Sequence, residues 1–130
     1  MERISFVLAS DSLEKLHAVA LMASVAAVSQ MEVNVFVTMN AVTAFRKTTI
    51  EKKNFRVEGE IGRHLLEKNS QMFYDLLQQG KMMGSLKVFA CAMALDLVGE
   101  NLDQYFPVFD EVLGVAGFLG KVAGGQVLFV

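Results

Sequence analysis

The chain has 130 residues, 53% of them hydrophobic and 20% charged, with a net charge of -2. That length fits one domain with a real core, and a near-neutral charge excludes nucleic acid as the main partner. So apolar a small chain needs either a sheet covered on both faces or surface covered by other subunits.

Residues 4–9, ISFVLA, read as a strand buried on both faces. Ser10-Asp11-Ser12 then offers helix N-cap chemistry. A helix follows over 13–29, and Glu14 in its first turn suits the positive end of the helix dipole. Its stretch 18–28 is apolar except for Ser24, and it is too short for a bilayer, which needs about 20 residues. No basic leader with a cleavage site precedes the first strand. One cysteine can form no internal disulfide. A soluble cytoplasmic protein is the expectation.

Residues 33–38, VNVFVT, are rich in β-branched and aromatic side chains and read as the second strand. A short helix is expected over 41–47. The segment 48–69 is polar and charged and holds two glycines; it reads as a loop-like excursion with one helical turn near Leu65. Met72, Phe73, Leu76 and Leu77 fall at helical spacing within 71–79, and Gly80 stands where a C-cap belongs. Residues 86–90 form a third strand and 92–98 a helix stopped by Gly99. A turn over 101–106 ends at Pro107. A small-residue helix over 115–123 and a strand over 126–130 complete the chain. Alternating helices and continuous apolar strands indicate an α/β fold with a mostly parallel sheet of four to five strands. The fifth strand lies within 55–58 or is absent. The whole of 1–130 reads as a single domain.

Ligands of open parallel sheets bind beyond the carboxyl ends of the strands. Ser10 and Asp11 follow the first strand, Met39 and Asn40 the second, and Cys91 the third. Ala92 and Met93 open the next helix, so Cys91 sits where backbone N–H groups favour a thiolate. The other reading is that Cys91 is a small core residue, as lone cysteines in apolar surroundings often are. Asp96 is a surface charge or orients the surroundings of the thiol. His17 lies one turn into the first helix, within reach of the ligand edge or on a plain helix surface. His64 falls in the polar excursion.

Absent motifs narrow the chemistry. Without C-x-x-C no dithiol cycle runs within one chain. No Walker A or G-x-G-x-x-G loop follows the first strand, and no cluster has metal-ligand spacing. No cofactor and no metal are expected. Arg46, Lys47, Lys52, Lys53 and Arg56 form a solvated charge run or a docking patch for an acidic partner or an anionic sulfur species. The methionines read mainly as core filler, with Met39 and the pair Met82-Met83 as candidates to line the pocket.

At Cys91-Ala92-Met93-Ala94-Leu95-Asp96, with Gly99 beyond, the chain resembles the DsrE/DsrF-like family of small sulfur-relay proteins. Their C-x-M-S-x-D element is matched except that Ala94 replaces the serine. The start ISFVLASDSLEKLHAVALMASVA, the run VFVTMNAVTAFRK, the segment MFYDLLQQG and the end GVAGFLGKVAGGQVLFV are similar to the same family. The resemblance implies a three-layer flavodoxin-like sandwich and a homo-oligomer, trimeric or hexameric. It also implies that Cys91 carries sulfane sulfur as a persulfide between a donor and an acceptor protein. The alternative is a non-catalytic oligomeric module that binds a ligand or protein at the same edge, with Cys91 structural. A peroxide-reducing enzyme would need a resolving thiol from elsewhere.

Overall fold

The computed structural model describes residues 2–68 and 71–130. Strands β1 (Arg3–Leu8), β2 (Glu32–Val37), β3 (Ser85–Cys91), β4 (Glu111–Leu113) and β5 (Gln126–Phe129) form one sheet in the order β4-β3-β2-β1-β5. Every neighbouring pair is parallel. Helices α1 (Leu13–Val28), α2 (Asn40–Thr43), α3 (Lys47–Lys52), α4 (Glu60–Glu67), α5 (Phe73–Met83), α6 (Ala92–Val98) and α7 (Val115–Lys121) are distributed over both faces. The arrangement is the flavodoxin-like α/β sandwich expected from the alternating pattern.

The central strand shows why. In β2, Val33, Val35 and Val37 share one face and Asn34 and Phe36 the other, and all five are buried. The valine face packs under α1, and α5 lies beside α1 over the neighbouring strand β3. The Phe36 face meets α7, where Phe118 stacks on Phe36 with ring centroids 4.6 Å apart and planes 16° from parallel. Helix α1 starts where the cap chemistry places it: the Ser12 hydroxyl accepts the Lys15 N–H at 3.2 Å.

Several boundaries differ from the expectations. The fifth strand is Glu111–Leu113 at the β3 edge, not 55–58, where only an isolated bridge between Ser12 and Arg56 forms. Three residues that are exposed or half-buried carry too little periodicity to be seen. Gly80 lies inside α5 rather than beyond it, and Gly84 takes the C-cap. Its role is close packing: a Cβ on Gly80 would sit 3.2 Å from the Ser24 Cα of α1 and 2.9 Å from Leu86. The expected helix over 41–47 is split into α2 and α3 by a turn.

The excursion 48–69 is not a loop. It contains most of α3 and all of the eight-residue α4; its last residue, 69, lies outside the described residues. Its charged surface hid two short helices, of which α4 is amphipathic. Above α5 an aromatic layer closes the core, with Phe45 and Phe73 in edge contact at 5.0 Å and Tyr74 against Phe106 at 5.0 Å. Among the described residues no helix is long and apolar enough to cross a membrane.

Candidate functional site

Strand register defines the edge. Leu8, Val37 and Ala90 lie level across β1, β2 and β3. The chain therefore leaves all three strands together, at Ala9–Ser10, Thr38–Met39 and Cys91–Ala92. The residues singled out in the sequence on these three turns meet at one end of the sheet.

Cys91 ends β3 and is the N-cap of α6. Its side chain makes no capping hydrogen bond, and α6 has no acidic residue in its first turn. The thiol is 1% exposed, and Phe89 and Leu113 share its face of the sheet. Met93, two residues on, is 47% exposed. Asp96 is exposed on α6, and Gly99 closes that helix in the left-handed conformation with φ 68°. Met39 is the least relaxed residue at the edge: φ is 50° and ψ -139°, a region that costs a non-glycine residue about 1–3 kcal/mol. Its side chain stays 55% exposed. Strain of this kind gathers at ligand edges.

The β1 turn is occupied by the chain itself. Ser10 accepts the Ser12 N–H at 3.0 Å, and Asp11 accepts Arg56 Nε at 2.7 Å. The Ser12 hydroxyl donates to Glu58, and the Leu13 N–H donates to the Arg56 carbonyl at 2.8 Å. The Glu14 carboxylate accepts the N–H groups of Glu58, Gly59 and Gly62, at 2.7 Å for Gly59. Partial burial works against the Glu14 charge, but these backbone donors outweigh it and hold the carboxyl below its ordinary value. Residues 54–62 thus form a strap tied to residues 10–14. No local pattern announces it, because its partners lie 44–48 residues apart.

A second tie braces the β2–β3 side. Arg46 donates to Glu100 at 2.9 Å, and the Tyr105 hydroxyl donates to the same oxygen at 2.7 Å. The Tyr105 bond, then that from Arg46, keeps Glu100 ionised to lower pH than usual despite its desolvation. Burial first, then the Glu100 charge and bond, pushes the Tyr105 phenol up to about 12.

These ties alter the sequence picture of the basic run. Arg46 and Arg56 are paired within the chain, and Lys47 donates to the Asp103 carbonyl at 2.9 Å. Of that run only Lys52 and Lys53 stand on the surface with neither an ion pair nor a side-chain hydrogen bond among the described residues. Met82 and Met83 end α5 beside the start of β3, at the edge opposite Cys91, so they do not line its surroundings. His17 is half-buried in α1; its Nδ1 has no hydrogen-bond partner, and desolvation lowers its pKa. His64 is exposed on α4, 3.7 Å from Glu67. Among the described residues no group of His, Cys, Asp and Glu could hold a metal ion.

No family model and no curated protein matches the sequence. Solved structures do. The protein of unknown function MTH1491 from Methanobacterium thermoautotrophicum is similar at a TM-score of 0.64 and 15% identity, over 100% of both chains. The ychN protein from E. coli is similar at 0.64 and 16%, again over 100% of both. At such identities the likeness concerns the fold alone.

Proposed function

We propose that the chain is a DsrE-like sulfur carrier in which Cys91 takes sulfane sulfur from a donor protein and hands it to an acceptor. The observation that carries this reading is the position of the only thiol, at the β3–α6 junction with the first turn of α6 left uncapped by side chains. The Cys91 thiolate attacks the outer sulfur of a donor persulfide. One S–S bond forms, one breaks, and the donor leaves as a thiolate, so no oxidant is needed. Backbone N–H groups at the start of α6, at Ala92 and Met93, hold the negative sulfur. Ser10, Asp11, Met39, Asn40, Met93 and Asp96 form the rim that a donor meets. Since Cys91 is 1% exposed, loading requires the rim to part, which a docked donor protein would bring about.

The second reading has its own observation. The same burial places Cys91 within the apolar core, as a non-catalytic binding module would use it. Intact mass after incubation with polysulfide, on the wild type and Cys91→Ser, separates the two. Added sulfur that reductant removes and the variant lacks supports the carrier. No addition, with Cys91 resisting alkylation in the folded protein, supports the module.

Either reading includes a homo-oligomer. Leu21, Met22, Val25 and Val28 of α1 are 47%, 50%, 58% and 52% exposed. Grooves of about 330 and 430 Å³ flank this ridge, and neither is lined by a charged residue. A second copy of the chain is the proposed cover.

A further inference from the structure

Helix α7 has seven residues and roofs only part of its sheet face. Phe118 covers Phe36 and lies 6.4 Å from Phe89. Two residues back along each strand, on the same face, stand Ser5, Asn34 and Lys87, which are level with one another. A further step back come Arg3, Glu32 and Ser85. Beyond the reach of α7, a groove of about 260 Å³ opens here between Lys121, Lys87 and the Arg3–Glu32 pair.

The floor of this groove is polar where a central parallel strand is normally apolar. Asn34 is 5% exposed and Ser5 0%. Their hydrogen bond, from Asn34 Nδ2 to Ser5 Oγ, is long at 3.4 Å. A valine at Asn34 would match its neighbours Val33 and Val35; the carboxamide instead, after Arg3, also helps hold the charge of Glu32, the carboxylate in the lining of this groove.

The charges are unbalanced. Arg3 is engaged twice, by the Glu32 carboxylate and by the Ala123 carbonyl at 2.9 Å. Its hydrogen bond is the main reason Glu32 stays ionised below the usual range. Lys87 is exposed and has no ion-pair partner among the described residues. Lys121 approaches Glu111 only to 3.8 Å and stands 5.7 Å from the centre of the Phe89 ring. Around the buried carboxamide three cations, Arg3, Lys87 and Lys121, thus face one carboxylate, Glu32, whose charge Arg3 mainly and Lys87 in part support.

We propose that this groove binds a small oxyanion, with Lys87 and Lys121 as the clamp and the Asn34 carboxamide and Ser85 hydroxyl as the floor. Phosphate, sulfate and carboxylate share the required chemistry, and the volume admits a small organic ester as well as the free ion. The site is separate from the thiol: Lys87 and Cys91 are four residues apart on one strand, a span of ~13 Å.

The test is a titration of 15N-labelled protein with inorganic phosphate, and in a second series with glycerol phosphate, at constant ionic strength. Saturable shifts confined to Asn34, Ser85, Lys87 and Lys121 are expected. Lys87→Gln should weaken binding roughly tenfold, the factor of one charge-assisted hydrogen bond. Asn34→Val should remain folded and lose binding by a similar factor. Tighter binding of the ester identifies an organic ligand; equal binding identifies the free ion. Unsaturable or scattered shifts, or variants that bind as the wild type does, would overturn the site. Cys91→Ser should leave the titration unchanged; a loss there would overturn the claimed independence from the thiol.

Discussion

Gly62 donates its backbone N–H to the Glu14 carboxylate at 3.2 Å, and a Cβ on Gly62 would lie 2.6 Å from that same carboxyl group. One side chain of α1 thus caps the start of α4, and the glycine leaves room for it. Gly62→Ala should push the carboxylate off the helix end. Gly62→Ala and Glu14→Ala should each cost about 1 kcal/mol, the usual worth of a cap. The double variant should cost little more than either single, because both remove one contact. Urea unfolding of the three variants checks this; additive losses would show that the two residues act independently.

Acid should act in two windows. Desolvation lowers the His17 pKa from 6.5, so the unfolded chain takes up that proton first and stability declines as pH falls below 6.5. Glu14 and Glu100 are held below 4.5. Their contribution is complete above 4.5 and is lost as pH falls through their lowered values. His17→Phe should flatten the upper window alone and Glu14→Gln should shrink the lower one. Unfolding free energy measured against pH separates them.

Tyr105 should matter at both neutral and alkaline pH. Tyr105→Phe removes a hydrogen bond to an ionised carboxylate, a loss of about 1.5–3 kcal/mol. The buried phenol, with its pKa raised from 10 to about 12, stabilises fully below 10, and this is lost as pH rises through 12. The variant should start less stable and lose less between those limits. Equal alkaline slopes in the two proteins would mean that neither burial nor the Glu100 tie raises the Tyr105 phenol.

Phe118 is the anchor of α7, at 1% exposure between Phe36 and Phe89. Phe118→Ala should cost about 3–5 kcal/mol. Hydrogen exchange should accelerate in α7 before it does in β1 to β3. Uniform acceleration would mean that α7 is not a separately released unit.

The apolar ridge on α1 gives the clearest test of assembly. Light scattering after gel filtration should find an oligomer for the wild type and a smaller species for Val25→Asp with unchanged circular dichroism. A monomeric wild type would remove the proposed cover.

The alternating pattern made the layered fold legible because each long strand is a continuous apolar run, as in VNVFVT, and each long helix has its own cap or spacing. Cys91 could be placed for the same reason: it directly follows such a run. What stayed hidden depends on distance. The strap partners Asp11–Arg56 and Glu14–Gly62 lie 45 and 48 residues apart. Glu111–Leu113 is a strand only because β3 is beside it. Gly80 looked like a helix end because a glycine that admits a neighbouring helix has the same local signature.

The sheet order has a kinetic consequence. Strands β1 to β4 add side by side in the order of the sequence. The remaining pairing joins Ile4 to Gln126, 122 positions later. Closing so long a loop is entropically unfavourable and comes late. During folding, the free edge of β1 therefore waits longest for its partner and is the place where another chain could pair first. Variants that weaken β5, whose Phe129 is 75% exposed, should slow the final step and increase aggregation during refolding more than they lower equilibrium stability.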